Sequence, residues 1–257
     1  MKFKTTNIIA GTLLVTLLLV NNFFTAIPWW GFVLLIWGYA SVVFWGCVTI
    51  SSGYFLPVLC KAKTNEQVVA LTFDDGPHPV YTAQILNTLQ KLGVPATFFC
   101  IGKNITGNEL LLTRIEDEGH TIGNHSYSHD FWFDMFGSRK MLADLQQMDQ
   151  ETLRATGLKP LLFRPPYGVT NPNVRRAVNK GKYMPIGWSI RSLDTIAKDK
   201  QKLLSRITGD MKAGDIILLH DCVEMTANIL LELIEEINKN GFKIVPLDKM
   251  LNVNAYA

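Results

Sequence analysis

The sequence predicts an α/β fold: a parallel sheet of about seven strands alternating with helices, open or closed into a barrel, preceded by a hairpin of two apolar helices. Three observations predict it. From Val68 onward, short β-branched and aromatic runs alternate with segments of helical period. Clusters of Asp, His, Arg and Tyr follow these runs instead of preceding them. Finally, no charged side chain occurs between Lys4 and Lys61.

That uncharged stretch comes first in the chain. As one helix it would be roughly 84 Å long at 1.5 Å per residue, against a hydrocarbon core of ~30 Å. Two transmembrane spans fit, near 7–24 and 29–51. The break falls at Asn21-Asn22 and Ile27-Pro28, and Trp29-Trp30 suit the membrane interface. A cleaved signal peptide beginning at Lys2 and Lys4 is the competing reading. No small-residue cleavage site follows, however, and a second apolar span does. Residues 1–63 are therefore expected to be a membrane anchor and 64–257 a folded domain. Two spans return the chain to its starting side, with Lys2, Lys4, Lys61 and Lys63 at the outer ends and a neutral loop between. The positive-inside rule then predicts a multi-pass cell-membrane protein with a cytoplasmic domain, an extracytoplasmic domain being the alternative.

Within the domain, strands are expected at 68–73, 96–101, 120–123, 161–164, 183–188, 215–219 and 242–245. Helices are expected near 82–92, 108–118, 139–155, 172–179, 201–212 and 227–239. Gly93, Gly119, Gly157 and Gly241 fall just past helix ends, where a left-handed cap residue belongs. The alternation implies a parallel sheet, open or closed into a barrel.

Charge excludes one class of partner. Once Lys2 and Lys4 are set aside, basic and acidic residues nearly balance, so no nucleic acid is expected. No protein partner is indicated, and the basic run Arg175, Arg176, Lys180 and Lys182 reads as a solvated helix face. Cys47, Cys60, Cys100 and Cys222 form no CxxC pair. They predict free thiols, with neither a disulfide framework nor a cysteine zinc site.

The chemistry lies in the clusters. Asp74 and Asp75 end the first strand, and two adjacent carboxylates call for a cation or a proton. His125 and His129 are spaced i, i+4, which predicts one face of a helical turn. With one carboxylate they would form a three-ligand metal site with an open position, the catalytic kind. Arg164 and Tyr167 follow the fourth strand, Asp194 the fifth, and His220 ends the sixth. In a parallel barrel the active site gathers at the C-terminal ends of strands, and all these groups obey that rule.

Thr72–Pro77 (TFDDGP), His125–His129 (HSYSH), Arg164–Tyr167 (RPPY), Trp188–Asp194 (WSIRSLD) and Leu218–His220 (LLH) resemble the ordered motifs of the polysaccharide deacetylases. This is the NodB-homology group, carbohydrate esterase family 4, and the resemblance covers roughly residues 68–251. It implies a distorted parallel (β/α) barrel of about seven strands, of the NodB type, that hydrolyses the N-acetyl group of an N-acetylated sugar in a polysaccharide, a peptidoglycan-type polymer or a lipid-linked amino sugar. It implies one divalent metal ion, zinc first and cobalt, nickel or manganese as alternatives, held by Asp75, His125 and His129. Asp74 matches the general base and His220 the general acid; the latter matters because an amide nitrogen leaves poorly as an anion. The resemblance gives the backbone N–H of Tyr167 the oxyanion and gives Arg164 and Asp194 the orientation of base and acid. Leu218 matches a residue lining the pocket for the acetyl methyl group.

Two positions depart from the family pattern. Arg191 and Thr195 stand where many members have aspartate and tryptophan. Thr195 is expected to leave the acetyl site without a large apolar wall, and Arg191 to offer a substrate phosphate or carboxylate a fixed positive charge. The same residues also fit an O-acetyl esterase, or a non-catalytic carbohydrate-binding protein on this fold. Elsewhere, His78 reads as a loop residue, His120 as a core histidine, and Asp221 as either an orienter of His220 or a cap.

Overall fold

The computed structural model describes residues 2–257. Helices α1 (Phe3–Phe23) and α2 (Trp29–Val48) form a hairpin. Ile27 N–H donates to Asn21 Oδ1 at 2.8 Å in its turn, and Tyr39 Oη–H donates to Asn7 Oδ1 at 3.0 Å across it. Leu13, Leu14, Leu34 and Trp37 point outward, and both helices have the length and hydropathy of membrane spans. Helix α2 ends at Val48, earlier than expected, and a 3-10 turn (Ile50–Ser52) takes over.

The domain then runs β1 (Val68–Asp74), α3 (Tyr81–Leu92), β2 (Thr97–Cys100), α4 (Gly102–Ile105), α5 (Glu109–Asp117), β3 (Thr121–Asn124) and α6 (Ser138–Thr156). It continues with β4 (Leu162–Phe163), α7 (Pro172–Gly181), β5 (Met184–Pro185), β6 (Ile190–Arg191) and α8 (Lys200–Thr208). It closes with β7 (Ile216–His220), α9 (Glu224–Lys239), β8 (Lys243–Ile244) and α10 (Leu247–Leu251). Gly93, Gly119, Gly157 and Gly241 all take the left-handed conformation expected of them.

The strands pair in parallel in the order β5-β4-β3-β2-β1-β7-β6, and β8 joins the start of β1. This is a half-barrel, not a closed one. The strand expected at 183–188 shortens to β5, and a strand that was not expected, β6, lies at the opposite edge of the sheet. The chain crosses the seam between them because linker residues take the vacant edge of β5. Leu59 N–H donates to Pro185 O (3.0 Å), Gly187 N–H to Leu59 O (2.9 Å) and Ala62 N–H to Gly214 O (2.8 Å). A side chain at Gly187 would strike Cys60, so this crossing needs glycine.

Strand periodicity of two decides which residues face the site. Val69, Leu71 and Phe73 of β1 and Ile217 and Leu219 of β7 point outward into the main core, against Ile85, Leu86 and Leu89 of α3 and Leu230 and Leu233 of α9. The alternate residues face the barrel interior, where Ala70, Phe99 and Ile216 form a smaller cluster. Asp74 belongs to the interior set, and register places it beside His220 on the neighbouring strand. The outward set anchors that register: truncating the fully buried Phe73 to alanine is expected to cost ~3–5 kcal/mol.

Candidate active site

At the C-terminal end of β1 the chain turns sharply. Asp75 adopts φ 75°, a left-handed conformation that costs a non-glycine residue of order 1–3 kcal/mol. This turn overrides the alternation expected of two neighbours on an extended chain. Both carboxylates face the same imidazole: Asp75 Oδ1 lies 3.5 Å from His125 Nε2, and Asp74 Oδ2 lies 3.8 Å from it. Asn104 Nδ2–H holds the turn by donating to Asp75 O at 2.8 Å. Asp221 packs beneath it, against Gly76, with Oδ2 accepting from Thr82 Oγ1 at 2.5 Å. Asp221 thus supports the Asp75 loop and does not orient His220. Burial first, then the nearby Asp75 charge, pushes its carboxyl up to about 7.

The two histidines are not on a helical turn, contrary to the spacing argument. Ser126 (φ 68°) and His129 (φ 43°) are both left-handed. Side chains take the backbone bonds that a helix would have made. Asn124 Oδ1 accepts from Ser126 N–H (2.8 Å), Asp144 Oδ1 from Tyr127 N–H (2.7 Å), and Ser126 Oγ from His129 N–H (3.0 Å). The result still converges, with His129 Nε2 3.4 Å from Asp75 Oδ1.

The donor set fits a cation. Asp75 Oδ1 is buried and has no hydrogen-bond partner, although its neighbours are polar. His125 Nδ1 pairs with the carbonyl of Arg164 at 2.8 Å, which fixes the proton there and leaves Nε2 bare. Burial lowers the His125 pKa to about 3, so the ring is neutral, as a metal ligand must be. One donor atom from each of Asp75, His125 and His129 lies within 4.8 Å of the others, a spacing that suits one divalent ion.

Asp74 is differently placed. It is buried, and Arg164 Nη1 donates to its Oδ1 at 2.6 Å and to Thr72 Oγ1 at 2.8 Å. Arg164 is 0% exposed, with Nη2 donating to Gly187 O at 2.9 Å and the guanidinium 4.1 Å above the Phe99 ring. The arginine thus lies inside the barrel, behind the carboxylate it holds. Burial raises the Asp74 pKa while Arg164 pulls it back down, and the carboxyl stays above its ordinary value.

Across the strand pair, Asp194 grips His220. Its Oδ1 accepts from His220 Nδ1 (2.7 Å), and its Oδ2 from His220 N–H (2.7 Å) and Thr226 Oγ1 (2.6 Å). Burial alone would lower the histidine's pKa, but the bond and charge of Asp194, aided by Asp74 and Asp75, push it up to about 9. A cavity of about 110 Å³ brings these groups together: Asp74, Asp75, His125, His129, Tyr167, Arg191, Leu218 and His220 all line it. Arg164 and Asp194 stand behind Asp74 and His220.

The sequence and the fold have counterparts in known proteins. The sequence pattern of the polysaccharide deacetylases matches residues 61–186. A peptidoglycan-N-acetylglucosamine deacetylase of Bacillus cereus is 32% identical over 200 residues, which cover 76% of this chain and 92% of that protein. The chain belongs to the polysaccharide deacetylase family. The peptidoglycan-N-acetylmuramic acid deacetylase PdaC of Bacillus subtilis is 31% identical over 77% of the chain, which spans only 42% of that protein. A crystal structure of a peptidoglycan N-acetylglucosamine deacetylase superposes with a TM-score of 0.73 at 27% identity, covering 78% of this chain and 95% of that one.

Within the polysaccharide deacetylase fold, this chain's departures take concrete form. Thr195 lines no part of the cavity; its N–H donates to Asp194 Oδ1 at 3.0 Å. The apolar wall is not missing, because Trp188 supplies it together with Leu218. Trp188 lies so close to Gly168 (φ 70°) that any side chain there would displace it. Sequence reasoning passed over Trp188 as a site residue, although a tryptophan just after a strand was a usable signal. It also missed the supports Asn104, Asn124, Asp144 and Thr226, which carry no motif of their own. His78 is the loop residue expected, its Nδ1 accepting from Tyr81 N–H at 3.2 Å. His120 is the expected core histidine, accepting from Ala96 N–H at 3.2 Å.

Proposed function

We propose that the protein is a membrane-anchored, metal-dependent N-deacetylase of an N-acetylated sugar. The observation that carries this reading is one small cavity holding an anchored carboxylate base, an anchored imidazolium acid and a three-donor cation site. When bound, a divalent cation supplies an activated water near neutral pH and polarises a carbonyl oxygen. The two-nitrogen, one-oxygen set suits zinc, with cobalt, nickel or manganese as substitutes.

The chain's own residues divide the rest of the work. Asp74 takes the proton of the attacking water, its raised pKa making it a better base than an exposed aspartate. The water oxygen bonds to the acetyl carbon, and the Tyr167 N–H stabilises the charge that develops on the carbonyl oxygen; losing such a donor costs about 10²–10³ in rate. Tyr167 itself is left-handed (φ 57°) at the cavity wall. As the C–N bond breaks, His220 gives its Nε2 proton to the nitrogen. Acetate and a free amine result. Arg164 and Asp194 act through Asp74 and His220, and Trp188 and Leu218 enclose the methyl group.

Two features bear on the substrate. Arg191 lines both the cavity and an adjoining groove of about 880 Å³ that also carries Lys61, Lys202, Arg206 and Lys212. A sugar joined to a phosphate, as in a lipid-linked intermediate, would place its anion there. The lysines flanking the hairpin favour a cytoplasmic domain, although Lys61 is paired with Asp215 at 2.8 Å. A reporter fused after Ala257 that works only outside the membrane would move the substrate to a cell-wall polymer. The activity itself is tested by acetate release from N-acetylhexosamine oligomers with the purified full chain. Release that stops on chelation and returns with zinc supports the proposal. Hydrolysis of O-acetyl esters alone, or full activity in both Asp74→Asn and His220→Ala, would sink it.

A further inference from the structure

The loop joining β3 to α6 begins with the candidate ligands His125 and His129 and then presents two opposite faces. Phe133 is buried and Phe136 partly buried, and both pack into a cluster with Tyr54, Phe55, and Val42, Val43 and Cys47 of α2. Phe131, Trp132 and Met135 point the other way and are 70%, 62% and 71% exposed. Hydrogen bonds hold this arrangement at the base of the hairpin. Thr170 N–H donates to Cys47 O (3.0 Å), and Asn171 Nδ2–H donates to Asp134 O (2.6 Å).

Length fixes how deep that base lies. The 20 residues of α2 give ~30 Å at 1.5 Å per residue, no more than the hydrocarbon core requires. A span of that size has no turns to spare outside the bilayer. Whatever packs against Val42–Cys47 therefore sits at the membrane interface, and the β3–α6 loop packs there. The three exposed side chains are of the kind that interfaces favour, two aromatics and a methionine, and Phe44, Trp45 and Val48 towards the end of α2 are exposed as well. Arg139 and Lys140 open α6 directly behind them, where anionic headgroups lie; Asp130 and Asp134 are the loop's own acids, and Asp130 Oδ1 is engaged with Trp132 N–H at 2.7 Å.

We infer that Phe131, Trp132 and Met135 insert into the interface of the bilayer that the hairpin crosses, so that the catalytic cavity opens onto the membrane surface. Phe131 stands 6.3 Å from the Tyr167 ring, and Tyr167 stands 4.8 Å from His129, which puts Phe131 at the cavity's mouth. The substrate class follows: an N-acetylated sugar held in the plane of the membrane by a lipid, in preference to a freely diffusing oligomer. This inference rests on the reading of α1 and α2 as a membrane anchor.

The test uses the full chain in nanodiscs made from plain lipid or from lipid brominated on its acyl chains, which quenches nearby tryptophan. Subtracting the emission of Trp132→Phe from that of the parent isolates Trp132, and Trp37→Phe isolates a residue in mid-hairpin. The bromolipid is expected to reduce both isolated signals by about twofold or more, as befits interfacial and buried indoles. Quenching of Trp37 but not Trp132 would overturn the inference and leave the anchor intact. Quenching of neither would remove the anchor, and the inference with it.

Discussion

The two halves of the candidate site are built from different materials. Asp74 and His220 lie on the longest strands of the sheet, in register with each other, and each is held by a buried partner that satisfies it. Asp75, His125 and His129 lie on irregular loops, two of the three with left-handed backbone, and the carboxylate oxygen at their centre has no partner. In the acid–base half, both the carboxylate and the imidazole have protein partners. The other half leaves a carboxylate oxygen that a cation would satisfy, and a buried unpaired polar group costs about 1–3 kcal/mol or more. The unpartnered group that faces the cavity thus lies in the half that a ligand can relieve, while Arg164 Nε, behind Asp74, also lacks a partner.

The largest test of that contrast removes the ligand. Chelation of the purified enzyme is expected to reduce deacetylation to background and to speed amide hydrogen exchange at 125–129. Exchange in β1 and β7 should stay unchanged. Uniform loosening across both halves would show that the acid–base half depends on the ion as well.

Substitution of the neighbouring aspartates comes next. Asp74→Asn is expected to lower kcat by about 10²–10⁴ with bound metal unaltered. Asp75→Asn should lose activity together with metal, measured by elemental analysis. Equal metal loss in both variants would erase the division between them.

The same contrast explains what the sequence made legible. Strands β1 and β7 are apolar runs long enough to be read directly, and amphipathic helices such as α3 and α9 end on glycines where expected. Period two then put Asp74 and His220 inside the barrel. Strands β5 and β6 have two residues each, too short for any period, and their separation depends on a linker more than a hundred positions earlier in the chain. The HxxxH spacing suggested a helical turn because spacing says nothing about Asn124 and Asp144 competing for the backbone. The structure therefore brings the three expected donors together, but on a backbone other than the one expected.

Arg164 probes the satisfied half. Arg164→Met leaves the buried Asp74 carboxylate without its charge partner, and breaking such a pair costs about 3–5 kcal/mol. Urea denaturation should show this loss. Adding Asp74→Asn should restore part of the stability but none of the activity, since the buried charge is then gone. If Arg164→Met is as stable as the parent, the pair is not what holds that half together.

The smallest effect concerns protons. The His220 pKa is raised to about 9, so its charged form is the resting one at neutral pH. The sign follows from linkage: stabilisation of the imidazolium is fully present below pH ~6.5 and is lost as pH rises through about 9. An acid with that pKa should set the alkaline limb of kcat/KM. A bound cation would cancel the contribution of Asp75, but the bond and charge of Asp194 rank ahead of it. Asp194→Asn keeps the shape and removes the charge, so the alkaline limb is expected to move down by at least about one unit, or 1.36 kcal/mol. The acid limb, which belongs to the carboxylate side, should stay. An unmoved alkaline limb with a merely lower rate would make Asp194 a scaffold for the histidine and not the source of its charge.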